Sequence, residues 1–592
     1  MAKKASYSNV EIAELLRSVA AAYTLNNENR FKIIAYEKAA DSVEHLNREL
    51  YDLWQEDKLD QVPGLGKSIQ ASLEEYFKTG HSKHIETVIG SIPKPVFLLM
   101  RVPSVGPKTA FKLVKELGLE KTDTIFDDIL KAAQKNFIST IPTFGEKSQS
   151  EIAEAIKRFQ ADTKKEYRMP LPYAHRLAMK IIDYLKKNKA IVRIDALGSL
   201  RRMSATIGDI DIAVAVKDGA QKEIIEYFLA YPGKIAIDNA GEAKASIILP
   251  PNIRVDILVV DQGIYGSALQ YFTGNKAHNI RLREQAIKKG YSLSEHGIKN
   301  IESGKVKEFS DEENFYSFLG YQYIPPELRD GSEELELARS NKLPTLVEIE
   351  DIKGDLHSHS SYQMATSHDY GANSYEELLE QAEDLGYEYM GFSDHNPKIS
   401  GITKEEIVSI MKKRSEDIQK LAKNKKVTAF ISLETDILPT GELALPEEAF
   451  QYVDYLIVSI HSSFKMNREE MTERVLKALS YPKVKILAHP TGRLLGKRNG
   501  YELEWGKIFE YAAKKNIALE INSWPERLDL PDSLVKEALK YNLKFTIDTD
   551  AHAVPDMLNM RYGVAVARRG WATKNDIINT MPLKAFKEWL TL

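Results

Sequence analysis

The second half of the chain carries the pattern that most restricts its fold. After a helical stretch, YEELLEQAEDLG, short strand-like segments (YMGFSDH, AFISLETDI, YLIVSIHSS, KILAHP, ALEINS, FTIDTDAH) alternate with further helical ones such as VLKALS and SLVKEALKYN. Such alternation predicts a mainly parallel sheet with helices outside, and a closed α/β barrel satisfies it as well. Nearly all of these segments end in histidine or a carboxylate. In order they are Asp355-Leu356-His357-Ser358-His359, Ser393-Asp394-His395, Glu434-Thr435-Asp436, Ser459-Ile460-His461-Ser462, His489-Pro490 and Asp548-Thr549-Asp550-Ala551-His552. Strand ends of an α/β barrel form the rim that holds active sites. His-x-His sets two imidazoles on one face, and Asp550-x-His552 repeats the arrangement. A single strand-end histidine is usually a structural hydrogen-bonding group. Six of them beside Glu434 and Asp550 predict a metal cluster.

The 592 residues include no cysteine. Disulfides, zinc–cysteine sites, iron–sulfur clusters and thiol nucleophiles are excluded together, so any metal must rest on His and carboxylates. Residues 1–300 carry 44 Lys and Arg against 37 Asp and Glu, whereas residues 301–592 carry 37 against 48. That split fits a nucleic-acid-binding front joined to a carboxylate-rich back. The opening run MAKKASYSNVEIAELL has no apolar core of signal-peptide length, and no apolar run approaches a membrane span. A cytoplasmic protein with no membrane partner is expected.

Residues 6–160 read as short amphipathic helices separated by Pro/Gly turns, three of which are related: Val62-Pro63-Gly64-Leu65-Gly66-Lys67, Val102-Pro103-Ser104-Val105-Gly106-Pro107-Lys108 and Ile141-Pro142-Thr143-Phe144-Gly145-Glu146-Lys147. Glycine lets the chain bend sharply, and the following helix starts with free N–H groups pointing outward. Those groups and the adjacent lysines suit a phosphate oxygen. The turns resemble the helix-hairpin-helix element that grips DNA backbones; Glu146 makes the third the least suited. Gly64, Gly66, Lys67, Gly106, Lys108 and Gly145 are therefore expected to bind DNA.

From about residue 190 strand-like runs appear, among them IVRIDALGS, GDIDIAVAV, ASIILP and RVDILVV. Asp209 and Asp211 are two apart and point to one sheet face, with Asp256 in a strand that can lie alongside. Three converging carboxylates repel one another unless divalent cations neutralise them, and oxygen-only ligands suit Mg²⁺ or Mn²⁺ in phosphoryl transfer. The preceding Gly198-Ser199-Leu200-Arg201-Arg202 offers backbone approach, a hydroxyl and guanidinium groups to a triphosphate.

These motifs, followed by Tyr271-Phe272-Thr273-Gly274 and Lys276-x-His278-Asn279-x-x-Leu282-Arg283, resemble the nucleotidyltransferase palm of X-family DNA polymerases. The resemblance covers about residues 1–325. It implies metal binding by Asp209, Asp211 and Asp256, with Asp256 helping to activate the primer 3′-hydroxyl. Gly198, Ser199, Arg202 and Gly208 would hold the nucleotide. Tyr271, Phe272 and Gly274 would face its sugar, Asn279 and Arg283 would touch the nascent pair or template, and Arg254 would contact DNA. In lyase-competent relatives a lysine follows the first turn; here Ser72 takes that position, so deoxyribose-phosphate lyase activity is not expected.

The strand-end cluster resembles the PHP phosphoesterase domain. By that resemblance His357, His359, Glu434 and Asp550 would hold one metal, Glu434, His461 and His489 a second, and His395 with His552 a third. The ions, Mn²⁺ or Zn²⁺, would activate water and stabilise a leaving 3′-oxygen. Relatives supply an acidic ligand soon after His-x-His, where this chain has Gln363; His368 or Asp369, just before Gly371, is expected to replace it.

The expected architecture is a multidomain α/β chain. It comprises a helical lyase-like region (1–88), a fingers-type helix-hairpin-helix region (89–165), a palm with a mixed sheet (166–262), a thumb (263–328), a linker (329–350) and a PHP barrel (351–592). The expected function is gap-filling DNA synthesis in repair by a monomer acting at the nucleoid. Its partners would be gapped or primed double-stranded DNA and deoxynucleoside triphosphates, with 3′–5′ exonuclease or abasic-site endonuclease activity in the second half. The rival readings are a DNA-binding scaffold with an inactive PHP domain and a small-molecule phosphoesterase.

Overall fold

A computed structural model describes residues 9–44, 50–55, 58–62, 64–102, 105–122, 124–163, 168–250, 253–423 and 425–592. Pro63, Pro103 and Ser104 of the expected phosphate-binding turns lie outside them. One compact unit ends at residue 167, and a second takes up nearly all of the chain beyond.

The first unit is helical: α1 (Asn9–Leu25), α2 (Arg30–Glu44), α3 (Leu50–Gln55), α4 (Lys67–Thr79), α5 (Lys83–Ile89), α6 (Lys94–Leu99), α7 (Pro107–Glu116), α8 (Ile125–Gln134) and α9 (Glu146–Thr163). Apolar residues at helical spacing build two cores, one around Leu16, Ile69, Leu73 and Phe77 and the other around Val105, Leu113, Ile129 and Ile156. The three turns lead directly into α4, α7 and α9. Gly64 takes φ +79°, and a Cβ there would lie 3.1 Å from Ser42 Oγ, so the bend requires glycine. Gly66 and Gly106 precede α4 and α7 with extended backbone and no capping side chain, leaving the first N–H groups of each helix free of side-chain partners. Lys67, Lys108 and Lys147 are exposed beside them.

The second unit opens with β1 (Met169–Pro170), α10 (Leu171–Leu185), β2 (Ile191–Ala196), α11 (Gly198–Arg201), β3 (Thr206–Ile207), β4 (Ile210–Val216), α12 (Gln221–Leu229), β5 (Ala236–Ala240), β6 (Lys244–Leu249) and β7 (Ile253–Val260). Its main sheet has the order β2-β4-β7-β6-β5, with β4 and β7 parallel and the other neighbours antiparallel. Alternation sorts the side chains of β4: Ile210, Ile212 and Val214 enter a core with Ala178 and Ile181 of α10, while Asp211, Ala213 and Ala215 face the other way. Next come α13 (Tyr265–Thr273), α14 (Lys276–Lys288), the sheet β8 (Tyr291–Ser294), β9 (Gly297–Asn300) and β10 (Val306–Lys307), then α15 (Glu312–Phe318) and α16 (Glu334–Arg339).

Segment 329–350, expected as a linker, is packed structure. Leu335, Ala338 and Leu346 join the core formed by Leu282, Phe315 and Leu328. Two of its charges are buried with partners: Arg329 meets Glu312 Oε1 at 2.6 Å, and Glu334 Oε1 meets His278 Nδ1 at 2.8 Å. Arg201 takes the second oxygen of Glu312 at 2.6 Å. Burial opposes ionisation of Glu312, but the two arginines outweigh it and hold its carboxyl below the usual range. Its stabilisation is therefore present at neutral pH and is lost as pH falls through that lowered value. Glu312→Gln strands Arg329 and is expected to destabilise the fold by about 3–5 kcal/mol, read from chemical denaturation.

The remaining strands are β11 (Gly354–Asp355), β12 (Tyr389–Phe392), β13 (Thr428–Ile431), β14 (Glu434–Asp436), β15 (Leu456–Ser459), β16 (Val484–Leu487), β17 (Ala518–Asn522) and β18 (Phe545–Asp548). β11-β12-β13 and β14-β15-β16-β17-β18 pair in parallel throughout. β13 and β14 are one run interrupted at Ser432–Leu433, and a parallel bridge from Ser358 to Ala551 joins the first strand to the last. The sheet is thereby a closed barrel. Helices α17 (Tyr375–Asp384), α18 (Lys404–Ala422), α19 (Arg468–Leu479), α20 (Trp505–Lys514), α21 (Asp532–Ala538) and α22 (Met560–Arg569) fill the connections, and α23 (Leu583–Thr591) follows the last of them.

Candidate active sites

In the palm, register sets the carboxylates. Asp211 of β4 lies directly opposite Asp256 of β7, and Asp209 is two residues before Asp211. Burial, then the charges of Asp209 and Asp256, push Asp211 up to about 7. Arg254, expected on DNA, is turned onto this group: its Nε lies 2.9 Å from Asp256 Oδ1 and its Nη1 3.0 Å from Asp238. Lys244 of β6 stands 3.4 Å from the other oxygen of Asp256. A half-desolvated carboxylate attracts whichever cations its neighbouring strands carry, and Lys244 was not foreseen because it is no motif residue. The raised Asp211 marks negative charge that these two cations leave uncompensated, which fits divalent ions.

Beside the carboxylates, the turn after β2 is pinned to β4 by Leu197 N–H donating to Asp211 O at 2.8 Å. Gly198 takes φ +56°, and a Cβ there would lie 3.1 Å from Asp211 Oδ2. Arg202 donates to the carbonyl of Thr273. Burial, then the nearby Arg569, Arg329 and Arg168, lower its guanidinium to about 10, because several cations crowd one another there. Asn279 Nδ2 donates to Tyr271 O at 2.8 Å, and Arg283 lies over the Tyr271 ring at 5.0 Å. Ser199 lies in α11, Gly208 between β3 and β4, Phe272 in α13 and Gly274 directly after that helix. In the first unit Ser72 is buried on α4 and its hydroxyl donates to Ser68 O at 3.1 Å.

The second site is built at the strand ends of the barrel. Donor atoms of His357, His359, Glu434 and Asp550 gather within 4.8 Å of one another, as do those of Glu434, His461 and His489, those of His359, His395 and His552, and those of His368, His395 and His461. Glu434 serves two gatherings: Oε1 lies 2.9 Å from His489 Nε2, and Oε2 lies 3.4 Å from His357 Nε2. His357 and His359 place their Nε2 atoms 3.1 Å apart, and Asp550 Oδ1 is 3.0 Å from that of His359. Burial, then neighbouring His552 and His395, lower His359 to about 3; burial and Arg527 do the same to His489. Burial opposes protonation of His357 and His395 as well, but the carboxylates around them outweigh it and raise both, His395 to about 10; a cation bound among these imidazoles would take them in the neutral form. Glu434 Oε2, His359 Nδ1, His489 Nδ1 and His552 Nε2 are buried without a hydrogen-bond partner. Facing lone pairs and orphaned buried nitrogens fit bound cations.

The 360–371 loop delivers its two candidate ligands to different places. Asp369 lies 3.5 Å from His395 Nε2 and 3.7 Å from His552 Nε2. His368 instead pairs with Asp436 at 3.0 Å, which also receives His461 Nδ1 at 2.7 Å. Gln363 turns to the carbonyl of Ser361. Gly371 lets the loop pass the histidines, since a Cβ there would fall 2.1 Å from His359 O.

Supporting residues escaped the sequence reading. Glu520 Oε1 holds His357 Nδ1 at 2.6 Å, a carboxylate–histidine pair of the kind that orients a metal ligand. Its signal was available: a carboxylate in the middle of the apolar strand ALEIN. Asp394 accepts from Ser360 N–H at 2.6 Å, Tyr375 hydroxyl at 2.5 Å and Arg414 Nη2 at 2.8 Å, tying the His-x-His segment to β12.

Residues 7–82 match the family described as helix-hairpin-helix domain, residues 268–330 that of the DNA polymerase beta thumb, and residues 355–524 that of the PHP domain. A DNA polymerase/3'-5' exonuclease PolX of Bacillus subtilis is 33% identical over 586 residues, covering 98% of this chain and 99% of the relative. The chain belongs to the PHP-bearing X-family DNA polymerases. A DNA polymerase lambda of Rattus norvegicus is 24% identical over 55% of this chain and 57% of its own, and a probable phosphatase of Clostridium acetobutylicum is 28% identical over 33% of this chain and 78% of its own. This X-family polymerase thus has relatives of each half separately and of both halves joined.

Proposed function

We propose that this X-family polymerase fills short gaps in DNA and that its PHP barrel trims 3′ ends by hydrolysis. The observation that carries the first activity is the cross-strand pair Asp211–Asp256 beside the Arg202 turn. Asp209, Asp211 and Asp256 would hold Mg²⁺ or Mn²⁺, Asp256 drawing the proton from the primer 3′-hydroxyl. Arg202 and Ser199 would orient the triphosphate, with Tyr271 and Phe272 against the sugar. Asn279 and Arg283 would meet the nascent pair. The helix starts after Gly64–Gly66, Gly106 and Gly145 would hold the DNA backbone without reading sequence.

In the barrel, His357, His359, Glu434 and Asp550 would hold one ion, Glu434, His461 and His489 another, and His395, His552 and Asp369 a third. Bound Mn²⁺ or Zn²⁺ supplies Lewis acidity and an activated water at neutral pH. Glu520 fixes the His357 tautomer. The convergence of four donor gatherings argues against an inactive scaffold, and the fused palm argues against a small-molecule phosphoesterase. No helix among the described residues is long and apolar enough to cross a membrane; we place the enzyme in the cytoplasm, as a monomer on nucleoid DNA. The test is a gapped, 5′-phosphorylated duplex with Mg²⁺ or Mn²⁺: extension with nucleotides and 3′ shortening without them support the reading, and neither product refutes it.

Two further outcomes are expected. Asp369→Asn lowers the metal held per chain, by elemental analysis after gel filtration, and His368→Ala does not; the reverse result would move the third position toward His461. Borohydride treatment with an incised abasic duplex traps no stoichiometric adduct, because Ser72 has no amine to form an imine. A stoichiometric adduct at neutral pH would identify another lysine as nucleophile.

A further inference from the structure

The carbonyl of Arg202 closes α11, and a helix end leaves its last carbonyls without intrahelical donors. The donor here comes from the barrel. Arg569, the last residue of α22, gives its Nη1–H to Arg202 O at 2.9 Å. Arg569 is itself held from the side: Oδ2 of Asp532, the first residue of α21, accepts from Nε at 2.7 Å and lies 2.6 Å from Nη2. The two helices meet closely at this point, since a Cβ on Gly570 would fall 2.4 Å from Val535 Cγ1. The neighbouring Arg568 reaches Glu327 at 2.8 Å and Glu348 at 2.6 Å, so the end of α22 is anchored on both sides.

The Arg202 turn is held by β4 through Leu197 N–H and Asp211 O, and by the side chains of Arg201 and Arg202 on Glu312 and Thr273. The guanidinium of Arg569 adds a support that comes from the barrel, on the carbonyl of Arg202 itself. A hydrogen bond from a cation to a carbonyl is among the stronger ones, and this one is largely shielded, the Arg569 side chain being 19% exposed.

We propose that Arg569 is a positioning residue for nucleotide addition: the hydrolytic domain braces the palm turn that receives the incoming triphosphate. The inference rests on the reading of Arg202 as a triphosphate contact. Arg569 acts through the carbonyl of Arg202, so its removal lets the turn relax and weakens nucleotide binding before it alters the chemical step.

The test is steady-state extension of gapped DNA by the full chain with Mg²⁺, titrating one deoxynucleoside triphosphate. Arg569→Ala is expected to raise the nucleotide KM about tenfold, with kcat changed less than about threefold. The KM for DNA and the rate of 3′-end hydrolysis stay within about twofold, and Arg569→Lys recovers most of the loss. Asp532→Asn, which frees Arg569 from its side support, is expected to give an intermediate KM. In an Arg202→Ala background the Arg569→Ala change adds little, because both act through one turn. A nucleotide KM unchanged by Arg569→Ala, while Arg202→Ala raises it, overturns the inference alone. A KM unchanged by Arg202→Ala overturns the reading of the nucleotide site on which it rests. A parallel fall in kcat, DNA affinity and hydrolysis would make Arg569 a general structural prop and also overturn the proposal.

Discussion

Replacing Asp256 by Ala is expected to cut nucleotide addition by about a thousandfold or more while 3′-end degradation continues. Three features of the palm set the size of this effect. Asp256 lies opposite Asp211, so it shares whatever cation compensates that pair. It is also the more ionised member: burial opposes its charge, but Ser246, Arg254 and Lys244 outweigh burial and hold its carboxyl below the usual range. Asp211 would already serve as a ligand of the same cations, so it cannot also take the place of Asp256. The fold should survive, because Lys244 and Arg254 keep half-exposed side chains that water can solvate. Primer extension and 3′ shortening measured on one preparation decide the matter. Equal loss of both activities in a folded variant would mean one shared centre, contrary to the two described above.

Much of this arrangement was legible because it is local. The alternation in GDIDIAVAV puts Asp211 opposite to Ile210 and Ile212 whatever the rest of the chain does, and the strand-end histidines are separated from the barrel core by a single residue step. Strand–helix order alone implied a mainly parallel sheet; its closure into a barrel depends on the bridge from Ser358 to Ala551, which the order does not specify. Partners distant in the chain were not legible. The stretch 329–350 reads as an acidic linker bounded by prolines, yet Arg329 is neutralised by Glu312 and Glu334 is paired with His278, 56 residues away. Nothing in the local composition announces either partner. Arg254 shows the same limit from the other side: the resemblance implied a DNA contact, and its pairing with Asp256 and Asp238 in the folded register was not foreseen. For the 360–371 loop, spacing named both His368 and Asp369; only the folded loop sends one toward His395 and His552 and the other toward Asp436.

Glu434→Gln is expected to have the complementary effect, reducing 3′-end hydrolysis by about a thousandfold while gap filling is retained. Among the described residues Glu434 is the one carboxylate that faces two donor gatherings, so its loss takes a ligand from both. The amide has nearly the same shape, which separates the loss of charge from the loss of packing. It does not separate all consequences: His357 is surrounded by Glu520, Asp550 and Glu434, and without the last of these the site has one anion fewer to balance bound cations. Metal affinity should therefore fall, and since an ion that binds only the folded state stabilises it, added Mn²⁺ should raise the melting temperature of the parent chain more than that of the variant. Nucleotide KM should not move. Glu434 opens β14, and the barrel's support for the Arg202 turn comes instead from the end of α22 through Arg569. A nucleotide KM that rose with Glu434→Gln would show that metal loading in the barrel is transmitted to the palm, whereas unchanged hydrolysis would remove the barrel gatherings from the nuclease reaction.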